Sequence, residues 1–266
     1  MRILLATLLL LLAGQPAFAQ SQTEVLWLGQ AAFRITSPGG KVIVVDPWLR
    51  ANPKTPAAFK DPAALGKVDA LFVTHGHGDH IADAPEVAKI NNIPLYGPGD
   101  LNQVLTTLGV LPAAQLPRFN KGGTVEPVPG IKVTATHAEH SSVYVHRDAA
   151  GNQHSHYGGE PVGFILEMEN GFKIYHMGDT DVFGDLKLIA DRYKPDLVLI
   201  PIGGNFTMDP QGAALAIREY LKPKYVIPMH YGANPLGKGT PEEFIAALGR
   251  TSTRVLNLSP GEAVKF

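Results

Sequence analysis

The chain has 266 residues, 45% of them apolar and 18% charged, which is enough for one domain with a substantial core. A formal charge of −1, with no Lys/Arg cluster, leaves no electrostatic footprint for nucleic acid or an anionic membrane surface. The absence of cysteine excludes disulfides, thiolate metal ligands and a lipid-modified cysteine. The expected partner is a small molecule.

The N-terminus reads first. Met1-Arg2, an apolar run of eleven residues from Ile3 to Ala13, and the small-x-small stretch Ala17-Phe18-Ala19 have the layout of a signal peptide over residues 1–19. Eleven residues fall short of the roughly 20 that span a bilayer. The expectation is therefore cleavage after Ala19, no stable membrane insertion, and a single domain over residues 20–266 in the periplasm or secreted. Removal of Arg2 leaves that domain with a charge of −2.

The elements then follow in order. Glu24 to Leu28, Ala32 to Ile35 and Lys41 to Val45 predict strands, the last two joined through Ser37-Pro38-Gly39-Gly40. Ala70 to Val73 predicts a buried strand, and Asp100 a cap for a helix from Leu101 to Leu108 that stops at Gly109. Strands are expected at Ile131–Thr136, Pro161–Met168, Phe172–His176, Leu197–Ile200, Tyr225–Ile227 and Arg254–Leu256. Asp209-Pro210 opens a helix through Leu221, which Pro223 cannot continue. Thr240-Pro241-Glu242-Glu243 combines a capping box with proline in the first turn, and Gly249 ends that helix. Arg147 to Gly159, rich in Gly, Asn, Ser and His, predicts an exposed loop that can serve as a lid. Many strands and fewer helices point to one α/β domain with helices outside sheets.

The chemistry concentrates where strands end. Thr74-His75-Gly76-His77-Gly78-Asp79-His80 puts four metal-binding side chains into six positions directly after a strand. Imidazole and carboxylate are the ligands for zinc, iron or manganese in a chain without thiolates, and the glycines let the backbone turn between them. His137 and His140, then His176 and Asp179, then His230 and Tyr231 follow three more predicted strands. Strand ends converge on one rim of a sheet, where clefts form in α/β proteins.

This order, HxHxDH, then His, then Gly-Asp-Thr, then His, resembles the metallo-β-lactamase superfamily. The likeness is closer to the branch of metal-dependent hydrolases similar to ascorbate-6-phosphate lactonase and N-acyl phosphatidylethanolamine phospholipase D. Trp27-Leu28-Gly29, Val45-Asp46-Pro47-Trp48, Pro201 to Met208 and Ile227 to Tyr231 carry it along nearly all of the chain after residue 19. The resemblance implies an α/β fold, a four-layer αββα sandwich with the metals at the rim between the sheets. It implies two divalent ions, zinc foremost, with manganese or iron as alternatives. His75, His77 and His140 match one site, Asp79, His80 and His230 the other, and Asp179 the bridging carboxylate. Asp46 matches an aspartate that orients the histidine-rich loop by hydrogen bonds. Relatives often carry histidine after the Leu-Gly pair, where this chain has Gln30, which does not titrate near neutral pH.

Two ions sharing Asp179 can share a water, and metal coordination makes hydroxide available at neutral pH. The expected reaction is attack of a bridging hydroxide on a lactone, ester or phosphodiester, with Asp79 and Asp179 as the catalytic carboxylates. A redox diiron protein and a β-lactamase are the competing readings. His137 is expected in an ordinary hydrogen bond, with a place behind the ligands or in an extension of the metal pocket toward substrate as the alternatives, His176 in a structural role, and His146, His154 and His156 in solvent. Asn205 and Tyr231 are candidates for contact with substrate.

Overall fold

A computed structural model describes residues 22–266, so the expected signal peptide lies outside the described residues. The first half lays down β1 (Glu24–Gly29), β2 (Ala32–Thr36), β3 (Val42–Val45), β4 (Ala70–Phe72), β5 (Leu95–Pro98) and β6 (Arg118–Phe119). The second half contributes β7 (Thr124–Val128), β8 (Ile131–His137), β9 (Val143–Arg147), β10 (Gln153–Tyr157), β11 (Val162–Glu167) and β12 (Lys173–His176). It ends with β13 (Leu197–Pro201), β14 (Tyr225–Met229), β15 (Arg254–Val255) and β16 (Ala263–Lys265). Helices are α1 (Gly78–Ile81), α2 (Ala84–Asn91), α3 (Gly99–Thr107), α4 (Leu186–Tyr193), α5 (Pro210–Leu215) and α6 (Pro241–Leu248).

Two seven-stranded sheets result, ordered β16-β1-β2-β3-β4-β5-β6 and β15-β14-β13-β12-β11-β8-β7. Strand alternation sorts their side chains into three apolar layers. Ile43 and Val45 of β3 face the space between the sheets with Trp27, Phe33, Phe72, Phe164 and Leu199. Val42 and Val44 of the same strand face outward, with Leu71, onto Val87 of α2 and Leu101 and Leu105 of α3. On the other flank, Tyr175, Val198 and Ile200 meet Leu186 of α4, Ala213 of α5 and Phe244 of α6. The result is the expected αββα sandwich. Each fully buried aromatic or branched side chain contributes roughly 1.5–3 kcal/mol to holding these layers.

Two local expectations need correction. Residues 147–159 are mostly a hairpin of β9 and β10, in register from Tyr157↔Val143 to Gln153↔Arg147. It forms a sheet of its own and buries little, so no apolar alternation announced it. The helix opened by Asp209 is capped as expected, with the Asp209 side chain accepting from Gly212 N, but beyond Leu215 it continues in wider π-type turns over 216–221. The capping box of Thr240 and Glu243 is present, whereas Asp100 lies inside α3, whose cap position is Pro98. β16 pairs antiparallel with β1, with Val25 opposite Val264, and ties the C-terminus to the first strand.

Candidate metal centre

Five strand ends build the site. Asp46 follows β3, the histidine-rich loop follows β4, His140 follows β8, Asp179 follows β12 and His230 follows β14. Glycine is needed at two of these turns. A Cβ on Gly76 would press on the β9 backbone, 3.2 Å from Tyr144 N, and Gly178 has φ of 64° with Val162 O 2.9 Å from where a Cβ would sit. Non-glycine residues with positive φ fall into two sets. Asn92, Lys194 and Lys222 end helices, while Gln30, Asp46, Asn205 and His230 all lie just past strands on this side of the molecule. Strained backbone of this kind persists where the surroundings over-determine it, and it clusters at functional sites.

The side chains gather into two groups, His75, His77 and His140 in one, and Asp79, His80, Asp179 and His230 in the other. In each, the ligand atoms lie within 4.8 Å of one another. In the first, His75 Nε2 is 2.9 Å and His140 Nε2 3.3 Å from His77 Nδ1. In the second, Asp179 Oδ1 is 3.2 Å from His80 Nε2 and 3.0 Å from His230 Nε2. Asp79 Oδ2 lies 3.4 Å from His230 Nε2. The other oxygen of Asp179, Oδ2, faces the first group, 3.5 Å from His140 Nε2. One carboxylate thus presents an oxygen to each group.

Hydrogen bonds behind these atoms set which ring nitrogens face inward. Asp46, fully buried, accepts from Thr74 N and Thr74 Oγ1, both at 2.7 Å, and from His80 Nδ1 at 2.8 Å. With its hydroxyl proton given to Asp46, Thr74 Oγ1 is left to accept from His75 Nδ1 at 3.0 Å. This assigns the protons of His75 and His80 to Nδ1 and aims their Nε2 lone pairs into the site. His80 Nε2 and Asp179 Oδ1 are buried and lack a properly directed hydrogen bond although they face each other. An imidazole nitrogen set against a carboxylate in this way takes a proton in the metal-free protein or a cation in its place, and imidazole and carboxylate are the donors that suit a divalent one. The residues fit the metal that the sequence implies.

Without a cation, the charges compete. Burial alone would lower His80 and His230, but the carboxylates around them prevail: Asp179, Asp46 and Asp79 push His80 well above the usual histidine range, and Asp179 and Asp79 push His230 up to about 9. Burial and the neighbouring His80 hold His75 well below that range, and burial with the opposing imidazoles lowers His77 and His140. Burial opposes ionisation of Asp79 and Asp179, yet His80 and His230 outweigh it and keep both carboxyls below their ordinary values.

The groups open on a cleft of about 520 Å³ whose remaining walls are Gln30, Trp48, Ser141, Phe206 and Asn234, with no Lys or Arg among its lining residues. A second pocket of about 320 Å³ shares His140 and Ser141 with it and is bordered by Tyr157 of the hairpin. Three sequence candidates stand outside the first cleft. His137 lines the second pocket, half-exposed, 3.2 Å from Glu139 Oε2 and edge-on to Phe183. Asn205 is exposed and is not among the lining residues; its neighbour Phe206 is. The Tyr231 ring packs 5.3 Å from Trp27, and its hydroxyl is pushed up to about 12 by burial. His176 is fully buried with Nε2 2.9 Å from Ala31 O, a structural role as expected. Trp48, Ser141, Phe206 and Asn234 were not singled out, although Trp48 and Phe206 lie within motifs of the resemblance.

Comparison with known proteins agrees with this geometry. A family model described as "Beta-lactamase superfamily domain" matches residues 41–231. A curated protein of a Polaromonas species, named a UPF0173 metal-dependent hydrolase, is 63% identical over 273 residues, covering 100% of both chains. One of Cupriavidus metallidurans with the same name is 58% identical, over 93% of this chain and 87% of its own. Among solved structures, Igni18, a metallo hydrolase from the archaeon Ignicoccus hospitalis, superposes with a TM-score of 0.77 at 31% identity, covering 92% of this chain and 98% of its own.

Proposed function

This chain belongs to the metallo-β-lactamase superfamily, among the UPF0173 metal-dependent hydrolases, and from that premise we propose that its two groups hold two divalent ions, zinc foremost with manganese or iron as alternatives, to hydrolyse a lactone, ester or phosphodiester. The observation that carries this reading is Asp179, whose two oxygens face the two groups separately. Held there, such ions would supply the chemistry of metal-assisted hydrolysis, making a water acidic enough to ionise near neutral pH and polarising the bond to be attacked.

The chain's own residues do the rest. Asp179 sets the spacing of the two groups. Asp46 and Thr74 keep the lone pairs of His75 and His80 pointed inward. Asp79, a third exposed and at the cleft, is placed to orient the attacking water. Ser141 and Asn234 offer neutral hydrogen-bonding groups to the substrate, and no serine or cysteine nucleophile is required. Trp48 and Phe206, with no Lys or Arg among the lining residues, favour a neutral acyl substrate over a phosphodiester. Export through residues 1–19 to the periplasm or beyond is part of the same proposal.

Metal quantification of the purified protein tests the ion count and identity. A panel of lactones, p-nitrophenyl esters, bis-p-nitrophenyl phosphate and a chromogenic cephalosporin tests the bond. Turnover of esters or lactones above the phosphodiester is expected. No turnover of the panel by protein holding two ions refutes the substrate reading.

A further inference from the structure

Besides Asp46 and Thr74, which back His80, a further buried polar side chain outside the seven candidate ligands reaches the second group. Gln30 follows β1 in the left-handed region, with φ of 52°, and is 1% exposed. Its backbone is fixed from two directions, since its carbonyl accepts from Trp27 Nε1 at 3.0 Å and from His230 N at 3.1 Å. It therefore joins the first sheet to the loop that carries His230. The carboxamide Nε2 donates to Asp79 Oδ2 at 3.0 Å and lies 2.8 Å from His230 Nε2, while Oε1 is buried without a partner. The amide thus touches two of the four residues of the second group and makes no hydrogen bond to His75, His77 or His140. The two carboxylates are also held unequally. Asp179 is enclosed, 3% exposed, with imidazoles against both oxygens, whereas Asp79 is 32% exposed and rests on Gln30. Ordering a loose carboxylate before a cation arrives removes part of the cost of binding.

We propose that Gln30 is a positioning residue for the second ion: its N–H holds Asp79 Oδ2 beside His230 Nε2 and so sets the affinity of that group alone. This rests on the two-ion reading above. Gln30 is uncharged and makes its contact through a donor that does not titrate near neutral pH, so the support it gives Asp79 persists across that range.

The test is competitive titration of the metal-free full chain with Zn²⁺ against a chromophoric chelator, read as two separate affinities, together with the melting temperature of the metal-free protein. Gln30→Ala is expected to weaken the second ion by roughly 10–100-fold and leave the first unchanged. Gln30→Asn keeps a polar side chain that tolerates the left-handed backbone but is one methylene too short to reach Asp79, so it is expected to fail in the same way while folding normally. Gln30→His, which carries an N–H on a longer side chain, is expected to recover affinity. A second-ion affinity unchanged in both Ala and Asn variants overturns the proposal. So does parallel loss of both ions with a fall in melting temperature, which marks a purely structural role. A wild-type protein that binds only one ion instead refutes the two-ion reading, and this proposal with it.

Discussion

Asp46 makes no contact with the cleft, yet its replacement is expected to disable one half of the site. Its carboxylate, fully buried, accepts three hydrogen bonds, two from Thr74 and one from His80 Nδ1, at 2.7–2.8 Å. Hydrogen bonds to a charged group are worth about 1.5–3 kcal/mol each, and removing one partner of a buried pair costs about 3–5 kcal/mol after relaxation. Asp46→Ala is therefore expected to destabilise the fold by about 4 kcal/mol, or roughly 8–16 °C in melting temperature for a domain of this size. Asp46→Asn separates geometry from stability. Its remaining carbonyl still accepts from Thr74 N, but its NH2 meets the Nδ1 proton of His80, donor against donor. The imidazole is then driven to the other tautomer, with its proton on Nε2 pointing at Asp179. Loss of stability should be about half that of the alanine variant, while affinity for the second ion falls by roughly 10–100-fold. The assay is a urea or thermal melt of the metal-free variants, with zinc affinity measured by chelator competition. An Asn variant that binds both ions like the wild type would refute the tautomer argument. Weaker binding at the first group is expected as well, because Thr74 loses the Oδ2 acceptor that leaves its oxygen free to accept from His75 Nδ1.

Asp179→Ala is expected to abolish hydrolysis and lower the metal content, because one oxygen is withdrawn from each group; full activity in a well-folded variant would sink the bridging assignment. Metal binding should release protons. In the metal-free protein His80 is raised well above the ordinary value and His230 to about 9, so both are protonated at pH 7. Because these folded values exceed an unfolded value of about 6.5, their protonation stabilises the metal-free fold fully below that pH. The share of His230 is lost as pH rises through about 9, and that of His80 on the alkaline side of the ordinary histidine range. Titration calorimetry in buffers of different ionisation enthalpy should show about two protons released on zinc binding at pH 7 and fewer as pH nears 9, and no release at pH 7 would contradict this. Trp48→Ala and Phe206→Ala should raise KM for long-chain p-nitrophenyl esters by roughly 10–200-fold with little change for the acetyl ester. A uniform loss across chain lengths would remove these residues from substrate binding.

The sandwich was legible because alternation reported burial. Val42 to Val45 is apolar throughout, which is what a strand covered on both faces requires, and β3 is covered by Phe33 and Phe72 on one side and by α2 and α3 on the other. The hairpin at 143–157 hid itself for the converse reason. Gln153 to Tyr157 has no apolar stripe because its partner is only β9 and it buries little, so its pairing is encoded in backbone geometry rather than in composition. The pairing of β16 with β1 joins residues at opposite ends of the chain, and three short residues, Ala263 to Lys265, carry no local sign of their partner. At the site, spacing found the groups that suit a cation, since five histidines and two aspartates have few other reasons to meet. The cleft walls carry a weaker signal. Phe206 and Asn205 are neighbours in one motif, and only the left-handed turn at Asn205, with φ of 61°, decides that the aromatic ring rather than the amide lines the cleft.

The site also lies where the halves of the sandwich meet, and this couples metal binding to folding. His230 N, after β14 of the second sheet, donates to Gln30 O at the end of β1, and Val162 N of β11 donates to Thr74 O after β4. His176 Nε2, at the end of β12, meets Ala31 O in the turn before β2. Each of these bonds crosses from one sheet to the other, and the first two lie at or beside a candidate ligand, His230 and His75. The second group itself is divided in the same way, with Asp79 and His80 supplied by the first half and Asp179 and His230 by the second. A cation seated there fastens the two sheets in addition to filling its coordination sphere. It binds the assembled sandwich and not the separated halves, so it stabilises by RT ln(1 + [L]/Kd), about 4 kcal/mol at a thousandfold excess over Kd. The backbone strain at Gln30, Asp46 and His230 is tolerable on the same grounds. Those turns are held by bonds from both sheets, and a cation held at the site would offset what the strain costs the metal-free protein.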